Sequence, residues 1–152
     1  NLERVNVSEL LRQSVAEYGE RMAAAGIATV MTLPEDDIYI TADGRLLWRV
    51  VDNLLLNICR HGMNGTRAYI GAEKREENTV ISFKNISSKE LNISPEELLE
   101  RFVQGDESRS TEGSGLGLSI AQSLTELMKG NMQLYLDGDL FKVELIFPKD
   151  EM

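Results

Sequence analysis

The stretch EGSGLGLSIAQSL, Glu112 to Leu124, sets glycines at 113, 115 and 117 and then runs straight into an apolar helical pattern. Glycine costs about 1 kcal/mol relative to alanine inside a helix, so Gly113, Gly115 and Gly117 together are poor material for a helix that runs through them. Without a Cβ they let backbone amides come close to an anion, and the helix that follows adds free N–H groups and the positive end of its dipole. A diphosphate suits such a place, and a plain flexible loop would carry the same glycines. Two familiar phosphate patterns do not fit. The Walker pattern needs a Gly-Lys-Ser/Thr ending, and no lysine lies in this loop; the dinucleotide fingerprint needs a third glycine where Leu118 stands, and a strand just upstream.

A second group of polar residues lies on one helix. In GRLLWRVVDNLLLNICRH, residues 44 to 61, the broad apolar face is Leu47, Val51, Leu54, Leu55 and Ile58. Leu46, Val50, Asn53 and Asn57 make another stripe at spacings of four, three and four. A stripe that is packed in its first turns is partly covered later, and a buried amide without a partner costs about 1–3 kcal/mol. Asn53 and Asn57 therefore need partners. Arg60 and His61 follow on the same side, so two amides, a guanidinium and the chain's only imidazole gather in the last two turns. A solvated helix face, or asparagines satisfied by neighbouring backbone, would give the same pattern.

The elements that must position these groups read from caps and periodicity. Asn6 with Glu9 forms a capping-box pattern, and Leu10, Leu11, Val15 and Tyr18 predict one helix up to Gly26. The β-branched runs IATVMTL (27–33) and IYIT (38–41), on either side of Pro34-Glu35-Asp36-Asp37, read as a pair of strands. Asp43 caps the asparagine-bearing helix, which Gly62 ends. TRAYIGAEK and NTVISFKN predict a hairpin, and Ser94-Pro95 starts a short helix carrying Leu98, Leu99 and Phe102. Gln104 to Gly113 holds no apolar side chain and reads as a mobile surface loop. A helix to about Met128 and a hairpin around Asp137-Gly138 close the chain. Strand pairs alternating with one-faced helices predict an α/β fold, a two-layer sandwich with a mixed sheet and helices on one face.

Composition narrows the partners. The 152 residues are 42% hydrophobic and 27% charged, ordinary for one domain with a real core. The net charge of −9 opposes a nucleic-acid or anionic-membrane surface but allows a small local phosphate site. Cys59 has no partner for a disulfide, which fits a reducing, cytosolic setting. NLERVNVSEL has neither an initiator methionine nor a signal-peptide pattern, so residues 1–152 read as one domain cut from a longer chain.

The combination is more specific than its parts. DNLLLNICRHG, then EELLERF (96–102), then a polar loop, then GSGLGLSIAQSL resembles, in order and spacing, the N, F and G2 boxes of sensor histidine kinases. The likeness runs from VNVSELL to FKVELIFP, and is to the catalytic ATP-binding domain of that family, whose Bergerat-type fold is shared with type II topoisomerases, mismatch-repair ATPases and heat-shock chaperone ATPases. It implies ATP and Mg²⁺ as cofactors. Asn57 would hold the magnesium ion, Asn53 would face the same phosphates, Arg60 would contact phosphate, and His61, standing where the family usually has Tyr, would lie beside the nucleotide. Gly113, Gly115, Gly117 and Leu118 would shape the phosphate end, under a lid formed by the polar loop. The resemblance further implies a cytoplasmic domain of a membrane-anchored sensor. Its partners would be the dimerisation helices of the parent chain, which carry the phosphoacceptor histidine missing here, and a response regulator.

One departure stands out. Where the family has Asp-x-Gly-x-Gly after a central strand, this chain has FKNISS, with Asn85 for the aspartate that accepts from the adenine amino group and Ser87 for the first glycine. A neutral acceptor is about half as strong as a charged one, which predicts weaker binding rather than none. Lys142 lies near where the family commonly has a small hydroxyl residue. Two other readings follow from these facts: a nucleotide-poor regulatory module kept for docking, and an ATPase of another branch of the fold. Asn57 and the glycines argue against the first, and the short lid with its preceding ERF against the second.

Overall fold

The computed structural model describes residues 1–100 and 116–150. Gly113, Gly115, Phe102 and the loop from Gln104 to Gly113 lie outside these residues.

The chain runs β1 (Glu3–Asn6), α1 (Val7–Glu17), α2 (Gly19–Ala24), β2 (Ile27–Thr32), β3 (Tyr39–Ala42), α3 (Gly44–His61), β4 (Thr66–Lys74), β5 (Asn78–Ile86), α4 (helical over 95–100), α5 (Leu116–Leu127), β6 (Asn131–Asp137) and β7 (Leu140–Pro148). Caps set the helix starts as the sequence predicts. Asn6 Oδ1 accepts from Glu9 N at 3.0 Å, and Asp43 Oδ1 accepts from Arg45 N at 3.0 Å and Leu46 N at 3.1 Å.

Five strands form one mixed sheet in the order β2-β4-β5-β7-β6, with β2 and β4 parallel and every other pair antiparallel. Inward-facing Ile70, Ile81, Phe83, Val143, Leu145 and Phe147 are buried against Leu47, Val51, Leu54, Leu55 and Ile58 of α3 and Leu118 and Ala121 of α5. The alternate residues Tyr69 and Tyr135 face outward and are exposed. This is the two-layer α/β sandwich with helices on one face. Each fully buried Leu, Ile or Phe contributes about 1.5–3 kcal/mol against exposure, so the α3 face holds this helix to the sheet.

Two expectations about the N-terminal third are corrected. The first helix is two: it breaks at Tyr18, whose φ of −92° and ψ of 2° end α1 and begin α2. Tyr18 Oη donates to Asp52 Oδ1 of α3 at 2.6 Å, and that bond fixes the corner. The runs 27–33 and 38–41 are not partners. β2 lies parallel to β4 in the main sheet, whereas β3 pairs antiparallel with β1, which the sequence reading left without a strand. Pro34 to Asp37 is a turn, as expected, but it carries the chain off the sheet: Val7 N donates to Ile38 O at 2.8 Å and Ile38 N to Ser8 Oγ at 2.9 Å, so the chain after the turn is fastened to the start of α1.

Candidate functional site

The C-terminal turn of α3 is fastened to the end of β5 by two backbone hydrogen bonds, which together make the Gly62–Ser87 bridge. Met63 N donates to Ile86 O at 2.8 Å and Ser88 N donates to His61 O at 2.8 Å. Beside this junction opens a cavity of about 650 Å³. Asn57, Arg60 and His61 line it from α3, Asn85 from β5, Phe141 from β7 and Leu118 from α5. Ser87, Lys89, Glu90, Leu91, Ile93 and Leu98 close it from the segment after β5 and from α4. The fold thus brings Asn57, Arg60, His61, Asn85 and Leu118 to one place.

Asn85 is 4% exposed, and its Nδ2 donates to Ile86 O at 3.2 Å. Its Oδ1 has no hydrogen bond among the described residues and is the amide's open acceptor. Ser87 is also buried; its N donates to Asp139 O at 2.7 Å and its Oγ accepts from Lys89 N at 3.2 Å, which folds the next segment over the cavity. Phe141 sits directly across the ladder from Asn85 and gives the cavity an aromatic wall. Lys142, the next residue, turns to the other face of the sheet, where its Nζ lies 3.4 Å from Glu144 Oε2. Phe141 was not singled out in the sequence; its position opposite Asn85 becomes visible only once the β5–β7 register is known.

Asn53 does not line the cavity. It lies beside Gly117 in the first turn of α5, where a Cβ would come 3.7 Å from the Cβ of Asn53. Its Nδ2 is buried without a hydrogen-bond partner among the described residues. An orphan donor of this kind costs about 1–3 kcal/mol and suits an anion oxygen arriving at the α5 N-terminus. Asn57 supplies an amide oxygen, a hard ligand of the type magnesium accepts while keeping several waters. No group of three His, Cys, Asp or Glu side chains that could hold a metal exists among the described residues. Asn57 would offer a magnesium ion one such amide oxygen.

Burial lowers the pKa of His61 below the ordinary histidine value, and Arg60 and Lys89 lower it further. The imidazole is neutral at neutral pH. Because the unfolded chain takes up this proton first, the stability tied to the neutral ring is complete above the ordinary histidine value of 6.5 and is lost as pH falls below it. Urea melts at about pH 7.5 and about pH 5.5 are expected to show a smaller acid loss for His61→Gln than for the parent chain. Equal losses would place the His61 shift elsewhere.

Residues 42–150 match the family described as histidine kinase-, DNA gyrase B- and HSP90-like ATPase. The chain belongs to this ATPase family. Among its relatives, the sensor protein DltS of Streptococcus agalactiae is 27% identical over 154 residues, covering 99% of this chain and 38% of the relative. The sensor histidine kinase RppB of Synechocystis is 30% identical over 147 residues, covering 91% and 32%. The catalytic domain of histidine kinase ThkA superposes with a TM-score of 0.82 at 22% identity, over 99% of this chain and 97% of that one. ThkA is also known in complex with the response regulator protein TrrA, with a TM-score of 0.74 at 21% identity over 97% of this chain and 42% of that one. This ATPase domain thus has the Bergerat fold and sensor histidine kinases as relatives, and it spans well under half the length of the curated proteins it matches. Among the described residues, no helix is long and apolar enough to cross a membrane.

Proposed function

We propose that residues 1–152 are the catalytic domain of a sensor histidine kinase, binding ATP with magnesium and presenting the γ-phosphate to a histidine on separate dimerisation helices of its parent. The observation that carries this reading is the cavity at the α3–β5 junction, lined by Asn57, Arg60 and His61 of α3 and by Asn85 with Phe141, its partner across the ladder. When bound, ATP supplies the phosphoryl group and magnesium offsets its charge. Phe141, Leu91 and Ile93 exclude water from the base, Asn85 Oδ1 accepts from its exocyclic amine, and Asn57 and Arg60 hold the charged end. Asn53 Nδ2 and the α5 N-terminus, with Gly113, Gly115, Gly117 and Leu118, receive phosphate oxygens. Rate in such a system comes from positioning and charge neutralisation, so a chain that lacks the acceptor histidine binds nucleotide without completing transfer. The parent then passes the phosphate to a response regulator from the cytoplasmic side of a membrane-anchored sensor.

Calorimetric titration with ATP and magnesium tests this, with Asn85→Asp as the diagnostic variant. A charged acceptor is about twice as strong as a neutral one, so the variant is expected to bind about fivefold to tenfold more tightly. It is also expected to unfold more easily when empty, because a carboxylate loses the bond to Ile86 O and faces that carbonyl instead. Absence of binding in both forms would defeat the proposal.

A further inference from the structure

The outward face of the sheet carries one row of four side chains in strict register. Tyr69 of β4 lies opposite Lys84 of β5, Lys84 opposite Lys142 of β7, and Lys142 opposite Tyr135 of β6. The two lysine stems stand side by side on neighbouring strands, where like charges directly opposed are unfavourable. Their ammonium groups lean to opposite sides. Lys84 Nζ lies 5.1 Å from the centre of the Tyr69 ring, and Lys142 Nζ lies 5.7 Å from that of Tyr135. Only one of them has a carboxylate. Glu144 is 3.4 Å from Lys142, and it is shared with Arg75 at 3.8 Å and with the Tyr135 hydroxyl at 3.2 Å; Lys84 forms no ion pair among the described residues.

We propose that this row is a docking site for an acidic segment of a partner protein, whose carboxylates sit between Lys84 and Lys142 while Tyr69 and Tyr135 flank its backbone. Tyr69 and Tyr135 are 41% and 46% exposed, so both rings are accessible to a partner. The charge argument selects the occupant. The chain carries −9 overall, so an acidic segment is repelled by the molecule at large and drawn to the place where two cations adjoin. A nucleic acid could use the same lysines and rings, but its many phosphates would meet the whole negative field, whereas a short segment meets only the row. The site is separate from the nucleotide cavity, since Lys84 and Lys142 face away from it while Asn85 and Phe141, next in sequence, line it.

The test is an amide-shift titration of the isotope-labelled chain with a hexaglutamate peptide, repeated on Lys84→Glu, Lys142→Ala and Asn57→Ala. Shifts are expected at Tyr69, Lys84, Lys142 and Tyr135, with affinity reduced at least about tenfold in both lysine variants and unchanged in Asn57→Ala. Lys84→Glu is also expected to raise the melting temperature, because it sets opposite charges across the ladder, so loss of peptide binding there is not loss of fold. Three results would each overturn the proposal: no shifts, shifts confined to the nucleotide cavity, or tighter binding of a single-stranded oligonucleotide than of the peptide.

Discussion

Asn57→Ala is expected to weaken binding of ATP with magnesium by about 100-fold or more, equivalent to ~3 kcal/mol, while leaving the fold intact. Asn57 lies on α3 one turn before His61 and lines the cavity, yet its side chain makes no hydrogen bond among the described residues. Truncation therefore strands no internal partner, and alanine is the better helix former by up to about 0.7 kcal/mol. The loss falls on the ligand side, where the amide oxygen is the hard donor that α3 offers a magnesium ion. Asn53→Ala is the instructive companion. It removes a buried donor with no partner, so the empty chain is expected to gain about 1–3 kcal/mol in urea melts even as nucleotide affinity falls. Titration calorimetry of both variants decides the matter, and unchanged affinity in Asn57→Ala would remove Asn57 from the site.

Much of this arrangement is legible in the sequence because it is local. The caps at Asn6 and Asp43, the amide stripe on α3 and the hairpins β4–β5 and β6–β7 each depend on residues a few positions apart, and each stands where the spacing predicts. The failures are long-range. A β-branched run announces a strand but not its partner, so β2 and β3 looked like a hairpin until the fastening of Ile38 to the start of α1 sent β3 to β1. Tyr18 fits a helical period, and only its bond to Asp52, 34 residues away, shows why the helix breaks there. At the site, Asn57, His61 and Asn85 carry a chemical type that invites inspection, whereas Phe141 looks like any core aromatic and is placed by register alone. The same parity puts Lys142 on the far face. It therefore cannot replace a small hydroxyl residue at the base.

Gly62→Ala is expected to show how tightly the cavity depends on the α3–β5 junction. The φ of −70° and ψ of 150° at Gly62 suit any residue, so glycine is present for space rather than for backbone freedom. A Cβ there would stand 2.5 Å from Ile27 Cδ1, 2.7 Å from Ile58 O and 3.4 Å from Asn85 Nδ2. The Ile27 methyl can swing aside, but the Ile58 carbonyl is held by Gly62's own N–H at 2.8 Å, so the main chain itself has to move. That chain is tied to β5 through His61 O and Met63 N, and the shift therefore reaches His61 on one wall and Asn85 on the other. Overpacking of this kind costs about 1–3 kcal/mol, and a displaced wall is expected to lower nucleotide affinity by about tenfold in the same variant. Gly19→Ala supplies the control: at the start of α2 a Cβ meets nothing within 4 Å, so affinity should stay at the parent's value and stability should hold or rise by up to about 1 kcal/mol. Were Gly62→Ala as stable as that control, the junction would be soft, and the cavity walls would owe their placement to the sheet and not to the helix end.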